Sequence, residues 1–380
     1  MLKRVKQDQK KQMEACISAI GTANPPYKIP QAKIAEFMAG AHGLGGSQKQ
    51  RLFALYRATG IHNRYAVIPD YGKPAGSYVF YPNSKGLEPF PSTSARLELY
   101  RKEALPLATA AVHDCLNQIP HIHRHDITHL ITVSCTGMYA PGLDIDLINI
   151  LGLDREIQRF CINFMGCYAA FNGIKMGRAI CQADPNAKVL IVCVELCSLH
   201  FQKSPVEDNL LANALFGDGA AAVLMEDVPD SGKAISLQSV HCDIMPEGAG
   251  DMAWAVGDFG FEMTLSANVP EVIKTGIRGL IAQLKEKLTI PIHHFDKYAI
   301  HPGGKKILQV IEEELAIEKK DNLYAHEILK KYGNMSSPTI LYVLKLLFDE
   351  MLEKNRGEHI LALAFGPGLT LESMVLKIHH

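Results

Sequence analysis

Two stretches of this chain repeat one rhythm, and the repetition limits what it can fold into. In the first, an apolar strand at 130–133 precedes an apolar run, 159–165, that breaks at Gly166-Cys167 into a helix rich in small residues. A fully apolar strand at 189–194 follows, then the turn Phe216-Gly217-Asp218-Gly219 and a last strand. In the second, a short strand at 297–300, helices after His301 and from Asn334, and an apolar strand at 360–364 lead to Phe365-Gly366-Pro367-Gly368 and a closing strand. Apolar strands alternating with helices, with a glycine turn before the last strand of each stretch, predict one layered α/β unit used twice. The halves are expected at 1–228 and 229–380, parted by a polar turn cluster around Pro229, Asp230, Ser231 and Gly232. A glycine- and proline-punctuated region, 70–91, separates an N-terminal helical segment from the core.

With 380 residues, 47% of them apolar, the chain can bury a large core. Its 39 basic and 40 acidic residues give no electrostatic case for nucleic acid or an anionic membrane. The first thirteen residues are Lys/Arg/Gln-rich without an apolar core, unlike a signal peptide, and no run reaches the length of a membrane span. Nine cysteines at irregular spacing do not read as a disulfide framework, and a reducing cytoplasm is expected. His121, His123, His125 and His129 alternate as chelating histidines do. However, Pro120, Arg124 and Asp126 around them make a solvated loop the better reading, and no metal site is expected. No dinucleotide or phosphate-loop pattern occurs in a suitable context.

The chemistry-bearing residues stand at element ends. Cys167 follows Gly166 at a strand-to-helix turn, where unpaired N–H groups and the helix dipole favour a thiolate. His301 lies just past a short strand, followed by Pro302-Gly303-Gly304, and Asn334 enters a helix within Tyr332-Gly333-Asn334-Met335-Ser336-Ser337. Taken singly, these are a buried thiol, a structural histidine and a helix cap. Taken together, a cysteine, a histidine able to hold its proton and an amide able to donate to an oxyanion form an acyl-transfer set. Cys161, Cys181 and Cys193 read as buried small apolar residues.

On these residues the chain resembles the type III polyketide synthases of the chalcone synthase superfamily, which have the thiolase fold. Met165-Gly166-Cys167-Tyr168-Ala169 is similar to that family's nucleophile motif, Ile300-His301-Pro302-Gly303-Gly304 to its histidine motif, and the segment around Asn334 to its asparagine motif. The resemblance implies a thiolase-like αβαβα fold of two pseudo-symmetric halves and a homodimer. It also implies an enzyme that loads an acyl group from CoA onto Cys167 and extends it with malonyl-CoA. CoA thioesters would be substrates, with no further cofactor. His301 would pair with the Cys167 thiolate, and His301 with Asn334 would hold the thioester carbonyl during decarboxylation. Phe216 resembles the gatekeeper phenylalanine, Arg51 one of the CoA-binding basic residues, and Ser336, Gly366 and Pro367 fall in pocket-forming segments.

Where the plant enzymes carry a second gatekeeper phenylalanine and a small glycine, this chain has Met263 and Trp254. Cys135, Cys197 and His200 replace threonines, and Ala140 replaces a methionine that reaches into the neighbouring subunit. The segments around Cys135 and Cys197 are similar to bacterial members, several of which use fatty acyl starters to make alkylpyrones or alkylresorcinols. Trp254 and Met263 are therefore expected on one wall of an alkyl tunnel, with Cys135, Cys197 and His200 opposite. Two alternatives share the fold: a β-ketoacyl-carrier-protein synthase III performing one condensation, and an inactive acyl-CoA-binding protein.

Overall fold

The structure, a computed structural model, describes residues 14–227, 232–287 and 295–380. The turn residues 229–231 and the first thirteen residues lie outside them. The first half contains β1 (Ala15–Ala23), β2 (Tyr27–Pro30), α1 (Gln31–Ala41), α2 (Gly46–Ala58), β3 (Asn63–Ala66), α3 (Thr93–Leu116) and β4 (His129–Ser134). It continues with α4 (Leu143–Leu151), β5 (Gln158–Asn163), α5 (Ala169–Ala183), β6 (Val189–Leu196), α6 (Glu207–Leu215) and β7 (Asp218–Asp227). The second half contains β8 (Ala234–Ile244), β9 (Met252–Gly257), β10 (Gly260–Leu265), α7 (Val269–Lys287), β11 (Lys297–Ile300) and α8 (Lys305–Leu315). It ends with α9 (Leu323–Tyr332), α10 (Pro338–Glu350), β12 (His359–Gly366) and β13 (Thr370–His379).

The unbroken apolar strands have a physical reason. In β6, Val189, Ile191 and Cys193 enter one core while Leu190, Val192, Val194 and Leu196 enter another, and β7 divides its residues the same way. Both faces are covered, so alternation of polarity disappears. The first core holds α5 and α10, and the second lies under α3. Helix α5 sits close on the sheet because Gly177 has no side chain; a Cβ there would stand 2.7 Å from Met225 Sδ.

Nine strands form one sheet in the order β11-β12-β13-β8-β1-β7-β6-β4-β5. Strand β1 joins the halves, pairing with β7 along its length and with β8 at Cys16–Ser236 and Ile17–Ile235. Strands β4, β5 and β6 run parallel, as do β11 and β12. The loops just past the C-terminal ends of these five strands contribute to one cavity. A separate hairpin, β9–β10, sets Trp254 directly opposite Met263.

Two local expectations change. β5 is the edge strand, so Phe160 and Cys161 are exposed although the run reads as apolar and Cys161 was expected to be buried. Asn334 is not the cap of α10, which starts at Pro338; it forms a two-residue parallel bridge with Phe216 instead.

Candidate active site

Strand β5 ends in a strained turn. Phe164 and Gly166 have φ of 58° and 75°, and a short turn, Gly166–Tyr168, delivers Cys167 to the start of α5. Glycine is required at 166 on two counts. Its φ is left-handed, and a Cβ would lie 2.2 Å from Pro367 Cδ in the other half. The Gly166 N–H donates to Cys135 Sγ at 3.0 Å, which fixes the residue before the thiol.

Asn334 reaches this thiol from the second half, with Nδ2 3.8 Å and Oδ1 3.9 Å from Cys167 Sγ. The Ser336 N–H donates to Asn334 Oδ1 at 2.8 Å, holding the oxygen and leaving Nδ2 as the donor toward the sulfur and Gly303 O. The backbone is held as well: Asn334 N–H donates to Leu215 O (2.9 Å) and Gly217 N–H to Asn334 O (2.8 Å). Buried Arg64 donates to the Phe216 carbonyl and, at 2.9 Å, to Gln31 Oε1. His301 is fully buried at the end of β11, its ring edge-on to Phe365, and neither ring nitrogen has a hydrogen-bond partner among the described residues.

Burial dominates the electrostatics of Cys167 and His301. Burial pushes the Cys167 thiol up to about 12, with hydrogen bonds from Ser336 and Asn334 pulling back only in part. Burial likewise takes His301 down to about 3. Burial thus works against both charged forms of the pair, opposing the pull toward a thiolate expected at a helix N-terminus.

A cavity of about 560 Å3 is lined by Cys167, Asn334, Ser336, Cys135, Cys197, Phe216, Trp254, Met263 and Pro367, among others. His301 does not line it, but Phe365 and Gly303 do. Cys197, Phe216, Trp254 and Met263 also border a second chamber of about 580 Å3, with Ile34, Met38, Phe201 and Phe261 on its walls. His200 lines this second chamber together with Cys197, Trp254 and Met263, and accepts from the Phe261 N–H of the hairpin. Gly366 is buried and does not line the cavity; a Cβ there would stand 2.7 Å from Tyr168 Cδ1. On the other side, Leu265, Gly303 and Ile307 lead into a third cavity of about 750 Å3, walled by Leu55 and Ala58 of α2 and by Lys305 and Lys306. Arg51 is exposed on α2 and is not part of this wall.

A sequence profile of the chalcone and stilbene synthase N-terminal domain matches residues 2–229, and that of the C-terminal domain matches 236–379. The chain belongs to the chalcone and stilbene synthase family. Among relatives of this type III polyketide synthase, "Alpha-pyrone synthesis polyketide synthase-like Pks18" of Mycobacterium tuberculosis is 27% identical over 96% of this chain and 91% of its own. "Probable polyketide synthase 1" of Dictyostelium discoideum is 29% identical over 95% of this chain, which spans only 11% of that longer protein. The crystal structure of PKS-I from the brown alga Ectocarpus siliculosus superposes with a TM-score of 0.89 at 27% identity, covering 97% of this chain and 99% of that one. Members of this family are acyltransferases that perform decarboxylative condensation and use acyl-CoA and malonyl-CoA. Among the described residues no helix is long and apolar enough to cross a membrane.

In this synthase the sequence reading missed two groups. Glu195, fully buried at the end of β6, accepts from Cys135 N–H (2.9 Å), Thr136 Oγ1 (3.0 Å) and Ser337 Oγ (2.8 Å), tying the Cys135 loop to the start of α10. An acidic residue closing an otherwise apolar strand was the available signal. Lys305 and Lys306 occupy the first turn of α8, capped by Gly304. Two lysines at a helix N-terminus oppose the dipole, an arrangement that an anion would relieve.

Proposed function

We infer that this synthase loads a fatty acyl chain onto Cys167 and extends it repeatedly with malonyl units to an alkylpyrone or alkylresorcinol. The observation that carries this reading is a second, largely apolar chamber that shares Cys197, Phe216, Trp254 and Met263 with the thiol cavity. In the first step the Cys167 sulfur attacks the acyl-CoA carbonyl as its proton passes to His301, and CoA leaves as a thiol. Burial, which disfavours the charged form of each group, supports a coupled transfer. Malonyl-CoA then loses CO2, and the electron pair of the broken C–C bond becomes an enolate whose oxygen is held by Asn334 Nδ2 and an N–H of His301. The enolate carbon attacks the Cys167 thioester and expels the sulfur, leaving a chain two carbons longer on CoA. Phe216 borders the carboxylate with an apolar face. CoA thioesters are the substrates and no further cofactor takes part.

Lys305 and Lys306 at the mouth of the third cavity support phosphate binding by the incoming CoA, in place of the role expected of Arg51. The halves 1–228 and 229–380 supply the nucleophile and its partners respectively. The exposed edge strand β5, with Phe160, Met138 and Ile150 exposed nearby in sequence, supports a homodimer joined along that edge. The neutral charge balance and nine free thiols support a cytoplasmic enzyme.

The test is mass spectrometry of products formed from malonyl-CoA and a graded panel of acyl-CoA starters. Wild type is expected to extend starters longer than about six carbons several times, and Cys197→Phe to reject these while keeping short ones. Cys167→Ala is expected to abolish extension. A single extension, or no turnover of long starters by wild type, overturns the reading.

A further inference from the structure

The β9–β10 hairpin carries two residues of the partition between the chambers, Trp254 and Met263, yet it stands outside the main sheet. Something other than the sheet's strand pairing must fix its position. Thr93 and Gln202 hold its turn end, with Gly260 N–H donating to Thr93 Oγ1 at 2.8 Å and Gln202 Nε2 donating to Phe259 O and Phe261 O at 3.2 Å. Its cavity side is held at two points that end on consecutive carbonyls. Trp254 Nε1–H donates to Cys135 O at 3.1 Å. One residue on, His200 Nε2 lies 2.9 Å from Thr136 O, and the Phe261 N–H lies 2.9 Å from His200 Nδ1.

The chemistry of these partners fixes the imidazole. A carbonyl only accepts, so Nε2 carries the proton; a backbone N–H only donates, so Nδ1 must be bare. A protonated ring would aim a second N–H at the Phe261 amide. The ring is fully sandwiched into this role: it stacks on Phe261 at 4.2 Å with an interplanar angle of 5°, and Trp254 stands edge-on to it at 6.0 Å. The same Cys135–Thr136 segment is gripped on its other side by Glu195 and receives the Gly166 N–H on Cys135 Sγ. A continuous chain of contacts thus runs from the hairpin to the residue before Cys167.

We propose that His200 is a positioning residue that seats the β9–β10 hairpin on the Thr136 carbonyl, and that this seating sets the length of acyl chain the partition admits. The inference rests on the reading of the two chambers as acyl space. Glutamine can reproduce the bridge, since its amide donates at one atom and accepts at the other; leucine fills a similar volume with neither function, and asparagine is one methylene too short to span both groups.

Trp254 is the only tryptophan in the chain, so its fluorescence reports this hairpin alone. The experiment compares His200→Leu, His200→Asn and His200→Gln by emission spectrum, by malonyl-CoA decarboxylation, and by products from acetyl-, octanoyl- and tetradecanoyl-CoA. His200→Leu and His200→Asn are expected to red-shift the emission and change the ratio of long-chain to short-chain products about tenfold, as for one buried hydrogen bond lost, with decarboxylation changed far less. His200→Gln is expected to restore both readouts toward wild type. If His200→Leu does not fold, His200→Asn against His200→Gln decides.

Wild-type emission and product ratio in the Leu or Asn variant overturn the proposal, and so does failure of Gln to differ from Asn. A shifted emission with an unchanged product ratio overturns the control of chain length. If wild type turns over no long starter, the acyl reading of the chambers falls, whereas the emission spectra still decide whether His200 seats the hairpin.

Discussion

The meeting of Cys167 and Asn334 was legible at the scale of single residues, because glycines around them mark turns where a side chain is presented. Their protonation was not. A helix N-terminus is visible in sequence, but the dryness of a cavity assembled from both halves is not, and that dryness moves the Cys167 thiol up and His301 down. Alkylation follows. Inactivation by iodoacetamide, measured against pH, is expected to show a midpoint at or above the free thiol value of about 8.5, with acyl-CoA protecting. A midpoint well below it would support a standing ion pair. His200 shows the same limit in another form: a histidine beside a strand end reads as a cavity residue, and only the fold reveals that both its nitrogens are engaged.

Among elements, the alternating strands and helices of both halves could be read from apolar runs and glycine turns. The exposure of β5 could not, since an edge is defined by the neighbour a strand lacks. Glu195 was missed for a related reason: the three donors that hold it come from the loop after β4 and the start of α10. Burial pushes its carboxyl up to about 7, against the pull of those hydrogen bonds. A carboxyl raised on folding favours the native state below its ordinary value of 4.5. That contribution, on the order of a few kcal/mol, is lost as pH rises through about 7. Buried Asp218, raised to about 6, acts in the same direction. Wild-type Tm should therefore fall between pH 5 and pH 8, and Glu195→Gln should reduce that fall by about 2–4 °C. Equal slopes in both proteins would remove Glu195 from the account.

At the scale of the molecule, strand β1 puts both halves into one sheet, so the duplication seen in sequence does not yield two independent folding units. Calorimetry should give a single unfolding transition, with condensation activity lost at the same midpoint. Two separated transitions would contradict this. The bridge between Phe216 and Asn334 has a longer reach. In the proposed mechanism the ring beside the departing carboxylate and the amide beside the nascent enolate ride on one backbone rung, which couples the positions of the two segments. Selection can retune this end of the reaction only by changing what hangs from the rung; the spacing itself is inherited.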